Sequence, residues 1–464
     1  MINKYRGSLA LLFVLLSGAS GSQEPPRSDN SLTLAAGGDL IGPVHRMNTA
    51  TDPDLTQLAQ LFRSADVGFA NQENSVFDLH GFAGFPSAEN GGGYPLRWAA
   101  HAGDVKDLGI SLVSVANNHA TDFGPEGLVQ SLKNLSSAGV VAGGAALSDV
   151  AARDPVYLKT PRGVVALVAT ASTFPPAAVA GPALERQDTL SNPRPGISPL
   201  HVRNVRLLPP AQLETLRQAA GPFATPEGAT AIRIGDQVFE PGKTAGTRWE
   251  MSPQDESAIL GSLGVARGRA DLVLFAIHAH ETAGNVDEPP PIAYEPAILH
   301  KANEASSPND PRPASFEVEL FHAAIDHGAD LVIRTGPHVI SGIEIYKGKP
   351  IFYSLASLFL DFGGERVLDT PEGEKIVVPD SWFESFVPVC VFDSHRLRAI
   401  KIYPIAIEPR AGSRSGSPSL ARGEQARTIL TRLKELSAAF GTEITLSGDV
   451  GIVHVPGVAE GGQT

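Results

Sequence analysis

Ser111-Leu-Val-Ser-Val-Ala-Asn117-Asn118-His119-Ala-Thr-Asp122-Phe-Gly124 is the stretch that sets the class of fold. Leu112 to Ala116 is a short apolar run with β-branched residues, which predicts a buried strand. The run stops at two amides, a histidine, a carboxylate and a glycine. Pro125-Glu-Gly-Leu-Val-Gln-Ser-Leu-Lys-Asn-Leu135 follows, with Leu128, Leu132 and Leu135 at helical spacing and Pro125 suited to a first helical turn. Polar side chains between a strand end and a helix start lie where open α/β sheets place their ligands. An amide oxygen, a neutral imidazole and a carboxylate can each ligate a divalent cation. Asn117 or Asn118 alone reads better as a turn residue, and Asp122 alone as a helix cap. The cluster Asn117-Asn118-His119-x-x-Asp122-x-Gly124 as a whole reads as a site.

The same pattern recurs outward from this stretch. Ser31 to Asp39 is a strand ending in Gly37-Gly38-Asp39, where two glycines let the backbone approach a ligand closely. By itself Gly-Gly-Asp is a turn. Ala65 to Ala70 is a strand that ends in Asn71-Gln72-Glu73-Asn74, and 139–144 and 163–170 are further buried strands. Ala270 to Ile277 runs into His278-Ala-His280-Glu281. Histidines at i and i+2 share a strand face. His278 directly follows the apolar run and is the stronger ligand candidate, while His280 reads equally well as a loop histidine. Ala329 to Ile333 runs into Arg334-Thr335-Gly336-Pro337-His338.

Helices are expected at 55–62, 316–328 and 425–440. Hairpins are expected at 343–355, turning at Lys347-Gly348, and from 386–392 to 397–407. Between 174 and 246 the chain is rich in Pro and Gly, with one short helix near 211–219, and reads as an insertion on the α/β body. Residues 411–418 form a Ser/Gly linker. A C-terminal helix and short strands in 419–464 pack back on the domain.

Composition narrows the function classes. The 464 residues carry a formal net charge of −13 and no basic run, so nucleic acid is excluded as a partner. Cys390 has no partner for a disulfide and sits in Val387-Pro-Val-Cys-Val-Phe392, which predicts a buried thiol. Lys4 and Arg6 precede the apolar run Leu9 to Leu16, and small residues follow as far as Ser22. This predicts a signal peptide cleaved near Gly21, so 1–21 is a targeting segment. The expected location is the periplasm or cell surface, with a retained N-terminal membrane anchor as the alternative. The run is shorter than the ~20 residues that span a bilayer. Gly242-Lys243-Thr244 is not a phosphate-binding loop, because Gln237 stands where the leading glycine belongs. His280-Glu281-Thr-Ala-Gly284 lacks the second histidine of a zinc-protease helix, and no G-x-S-x-G elbow is present.

Taken in order, Gly38-Asp39, Asn71-Gln-Glu73, Ala116-Asn-Asn-His-x-x-Asp-x-Gly124, His278-Ala-His-Glu281, Gly336-Pro-His-Val339 and the long block Gly342 to Leu355 resemble the CapA (PGA_cap) proteins of poly-γ-glutamate capsule synthesis. The domain of that family is similar to calcineurin-like metallophosphatases, and the match runs over 32–407. The resemblance implies an α/β fold of four layers, an α/β/β/α sandwich. It implies one or two divalent ions (Mn, Fe, Zn or Mg), with Asp39, Asn118, His278 and His338 as ligands and Glu73 bridging. His119, with Asp122, is the implied catalytic acid. Asn117, His280, Glu281 and Arg334 are the candidate substrate-binding residues.

Three positions depart from the pattern. Ile41 stands where metallophosphatases have the histidine of D-x-H. Arg334-Thr335 stands where relatives have Gly-His, and Ser354-Leu-Ala356-Ser357-Leu358 where the family has Ser-Leu-Gly-Asn-Phe. An arginine at 334 beside a metal site repels cations or neutralises an anionic substrate. Two functions follow as expectations. One is a metal-dependent hydrolase of the cell envelope, acting on a phosphoester or an amide-linked anionic polymer such as polyglutamate. The other is a non-catalytic, polymer-binding member of a capsule-synthesis membrane complex. In either case Asp39, Glu73, Asn118, His119 and His338 are expected to converge in one cleft.

Overall fold

The apolar runs become strands because their alternating side chains have a core to enter on each face. The computed structural model describes residues 31–42, 47–87, 96–97, 100–186, 189–235, 237–283, 311–369 and 375–458. The expected signal segment 1–21 and most of the Pro-rich stretch 287–313 lie outside them.

Among the described residues the larger sheet has ten strands, with Ser31–Ile41 in its middle. On one side Val67–Asn71, Leu112–Ser114 and Val141–Gly143 follow in parallel. On the other side the first half of Ser31–Ile41 pairs antiparallel with Glu384–Asp393. Its second half pairs in parallel with Ser357–Leu360. Arg396–Ile407, Val450–Val453 and Ile444–Ser447 continue that side antiparallel.

A second sheet of six strands is parallel at its centre. Gly163–Ala171, Leu272–His278, Leu331–Thr335 and Lys349–Phe352 lie side by side there. Ile343–Tyr346 and Lys349–Phe352 make the expected hairpin. Lys347 and Gly348 both have positive φ, 50° and 76°, as a two-residue turn of this hand requires.

Three cores hold these layers. Leu34, Ala36, Phe69 and Leu112 of the larger sheet pack with Leu167, Leu274, Leu331 and Ile333 of the smaller one. The alternate residues Ala35, Ala70 and Val113 meet Leu58, Phe62, Val105, Leu128 and Leu135 of helices Pro53–Arg63, His101–Leu108 and Gly124–Ser137. On the smaller sheet, Val273, Phe275 and Val332 meet Ile259, Leu263, Phe316 and Phe321 of helices Pro253–Arg267 and Ser315–Asp326. Helix Gly423–Ala438 adds Ile429, Leu430 and Leu433 to the core between the sheets. The result is a mixed α/β fold with several sheets.

Residues 174–246 hold more order than their composition suggests. Val202–Leu208, Ala224–Glu227, Ala231–Ile234, Gln237–Pro241 and Gly246–Met251 form a five-stranded sheet around Val205, Ala231 and Val238. These strands are short and separated by Pro and Gly, so no long period marks them. Residues 411–418 are tied down. Ser415 Oγ donates to Asp361 Oδ1 at 2.6 Å, and Arg414 pairs with Asp52 and Asp54.

Parallel register delivers the polar strand ends to one edge of each sheet. Asp39 lies beside Asn71 and Ser357, Asn71 beside Ser114, and His278 beside Thr335.

Candidate metal centre

Two glycines let the strands close around this edge. A Cβ on Gly38 would sit 1.7 Å from the Ala356 carbonyl oxygen, which instead accepts a hydrogen bond from Asp39 N at 3.2 Å. Gly336 has φ 114°, and a Cβ there would press on the Ala279 backbone. Its amide donates to Asp39 Oδ2 at 3.1 Å, while Asp39 Oδ1 accepts from Asn71 Nδ2 at 2.8 Å.

His278 is fully buried beside Asp39. Its Nδ1 lies 3.7 Å from Asp39 Oδ1, 3.1 Å from Asn71 Nδ2 and 3.2 Å from Thr335 Oγ1. Its Nε2 lies 3.0 Å from His280 Nε2 and 3.6 Å from Glu73 Oε1. His338 stands edge-on to His280, with ring centres 5.9 Å apart, and packs against Trp382 at 4.7 Å. Its Nδ1 is 3.2 Å from Ser357 Oγ. Burial pushes the Asp39 carboxyl up, but the hydrogen bond and charge of His278, with the charge of His338, outweigh it and hold Asp39 below the usual carboxylate range.

Glu73, His278 and His280 form a candidate cluster able to coordinate one divalent metal, each offering a ligand atom within 4.8 Å of the others. The spacing fits a cation. Ligand atoms ~2.1 Å from a shared ion lie ~3.0 Å apart at a right angle and ~3.4 Å apart at the tetrahedral angle. The contacts of 3.0 and 3.6 Å at His278 Nε2 are close to that range. A carboxylate and two imidazoles without thiolate suit Zn, Mn or Fe.

Asp39, Glu73, His278 and His338 thus come together from separate strand ends, and His280 joins them. Asn117 is turned inward. Its Nδ2 donates to Asn71 Oδ1 at 3.2 Å and to Gln72 O at 2.9 Å, and its Oδ1 accepts from His119 N at 3.1 Å. Asn118 and His119 are buried on the same loop, and His119 Nδ1 lies 2.8 Å from Asp122 Oδ2. Glu281 Oε2 accepts from Ser172 Oγ at 2.7 Å and Thr173 Oγ1 at 3.1 Å.

Arg334 lies elsewhere than the resemblance leads one to expect. The strand continues to Thr335 rather than ending at Ile333, so Thr335 faces His278 and Arg334 faces the helix-covered core. There it pairs with Glu317 at 2.7 Å and is 1% exposed.

Asn71 is the residue that sequence reasoning passed over. Its Nδ2 lies within 3.4 Å of Asp39, Glu73 and His278 at once. The signal was present in Asn71-Gln72-Glu73-Asn74, but an amide at a strand end is too common to stand out.

The family described as bacterial capsule synthesis protein PGA_cap matches residues 33–306 and 297–361. The uncharacterized protein y4sH of Sinorhizobium fredii is 31% identical over 463 residues, covering 92% of this chain and 94% of that protein. The capsule biosynthesis protein CapA of Bacillus anthracis is 23% identical over 268 residues, which are 57% of this chain and 44% of that one. Among solved structures, a novel phosphatase from Mycoplasma pneumoniae aligns over 81% of this chain and 94% of its own at 12% identity. Its TM-score is 0.35. The family match takes in every strand end that meets at the cluster, and on that match and the full-length relative the chain belongs to the PGA_cap family of bacterial capsule synthesis proteins.

Proposed function

We propose that the protein is a metal-dependent hydrolase of the cell envelope, acting on a phosphoester or an amide-linked anionic polymer. The observation that carries this is the Glu73–His278–His280 cluster, packed against buried Asp39 at the edge where the strands end. A bound divalent ion would supply a polarised oxygen and an activated water. The residues of the chain do the rest. His278 turns Nε2 toward Glu73 and His280, so Nε2 would be its ligand atom, while Nδ1 faces Asn71 Nδ2 and Thr335 Oγ1. Asp39, Asn118 and His338 would complete the ligand set, and Glu73 would serve as the shared carboxylate if two ions bind. His119, oriented by Asp122, gives its proton to the leaving group.

Further parts of the proposal rest on the family and the sequence. On the family resemblance, the two sheets with helices on their outer faces are read as the four-layer α/β/β/α sandwich of the metallophosphatases. The chain is exported, loses its signal peptide near Gly21 and works at the periplasm or cell surface with a capsule-synthesis membrane complex. Its net charge of −13 speaks against nucleic acid.

Elemental analysis of the purified protein, followed by a panel of phosphoesters and γ-glutamyl peptides, tests the reading. One or two bound ions and turnover that stops with a chelator are expected. Asn118→Ala should weaken metal binding, and His119→Ala should spare the metal and slow the chemistry. A second reading has its own observation: Ile41 stands where metallophosphatases have the histidine of D-x-H, and Ser357 where the family pattern has asparagine. Metal bound without turnover of any substrate would favour a polymer-holding accessory protein instead. No metal and no turnover would end the hydrolase reading.

A further inference from the structure

The His280 backbone lies outside the regular sheet, because the strand that leads to it ends at His278. Its own amide is held by Thr173 Oγ1 at 2.9 Å, and the Ala279 amide by Thr335 O at 2.9 Å. The carbonyls on either side have no ladder to join, and a buried carbonyl needs a donor. Arg334 supplies both. Its Nε donates to Ala279 O at 3.1 Å and its Nη2 donates to Glu281 O, so one guanidinium grips the carbonyls of the residues before and after His280. Nη1 donates to Tyr353 O at 3.2 Å, which anchors the fork to the next strand segment.

A guanidinium buried this deeply needs a counter-charge, and Glu317 provides it at 2.7 Å. Glu317 is itself fixed, because its Oε2 accepts from Ala314 N at 2.7 Å at the start of helix Ser315–Asp326. Helix start, ion pair and the 279–281 peptide therefore form one rigid chain of contacts. We infer that Arg334, ion-paired with Glu317, is a positioning residue for the metal cluster, clamping the peptide on both sides of His280 so that its Nε2 stays against His278 and Glu73. The inference rests on the metal reading for its effect on affinity, and on geometry alone for the clamp.

Arg334→Met by itself strands Glu317 in the core. The test variant is therefore Arg334→Met/Glu317→Leu, which removes both charges together, with folding checked by circular dichroism and melting. Zinc titration by calorimetry is expected to show affinity falling about 10- to 100-fold, the range for loss of an outer-shell partner. The same double substitution made on His280→Ala should cost nothing further, because the clamp then has no ligand to hold. Native-like affinity in the folded double variant overturns the inference, and so does an equal loss with and without His280. If the double variant does not fold, Arg334→Lys takes its place. It keeps the ion pair but lacks the planar fork that spans two carbonyls. An affinity about tenfold weaker is expected, and unchanged affinity overturns the clamp.

If the native protein takes up no zinc, the metal reading fails and the clamp is judged on metal-free protein. Imidazole ¹⁵N spectra should then show a ring N–H shared by His278 and His280 and protected from exchange, and the variant should lose it. Persistence of that signal in the variant, or its absence from the native protein, overturns the clamp.

Discussion

Ala356 has a left-handed backbone, φ 58°, in the block where the family places glycine. A Cβ in that conformation costs on the order of 1 kcal/mol. Its methyl is buried in the core between the sheets, where a carbon is worth about 0.8 kcal/mol. The two effects nearly offset, so Ala356→Gly should leave the unfolding free energy from urea denaturation within about 1 kcal/mol of native. Cys390 is the contrary case, a thiol with ordinary packing and no strain. Burial pushes its pKa far up, so it should resist thiol reagents until the protein unfolds. Cys390→Ala should cost about 1–2 kcal/mol of packing.

Burial pushes the Glu317 carboxyl above its ordinary range, and the Arg334 guanidinium 2.7 Å away draws it back toward the charged form that the ion pair uses.

Which of these residues the sequence revealed depended on where a strand stops. Asp39, Glu73 and His278 follow apolar runs, and their chemistry is conspicuous there. Arg334 was misplaced because the strand runs two residues further than its apolar run, and each extra residue exchanges the two faces.

At the scale of elements, the site depends on how closely strands can approach. Ser31–Ile41 and Ser357–Leu360 pair across Gly38, where a side chain has no room. Gly38→Ala must part these strands, and a loss on the order of 3 kcal/mol or more is expected in chemical denaturation. Metal affinity should fall with it, because Asp39 is the next residue.

The parallel strands and the hairpins could be read from apolar runs and turn residues. The sheet within 202–251 could not, because edges such as Ala224–Glu227 contain Pro and alternate with glycine turns. His280 stayed ambiguous for a related reason. No local pattern shows that Arg334, far along the chain, holds its peptide in place.

At the scale of the whole molecule, Ser31–Ile41 joins two halves of unlike origin. Val67–Asn71 on one side comes from the N-terminal third of the chain, and Glu384–Asp393 on the other from near its end. A protein shortened to end at 361 would keep the cluster residues and the pairing of Ser357–Leu360, but leave the first half of that side of the strand unpaired. It should aggregate on refolding, as light scattering would show.

The order of synthesis sharpens the point. Ser31 pairs with Asp393, and at ~5–20 residues per second that partner is made roughly tens of seconds later. Pairing across such a separation is also slow in itself, in milliseconds to seconds once the whole chain is present. For that interval the newborn protein is half a sheet with an open apolar edge, and whatever holds that edge off other chains governs the yield of finished molecules.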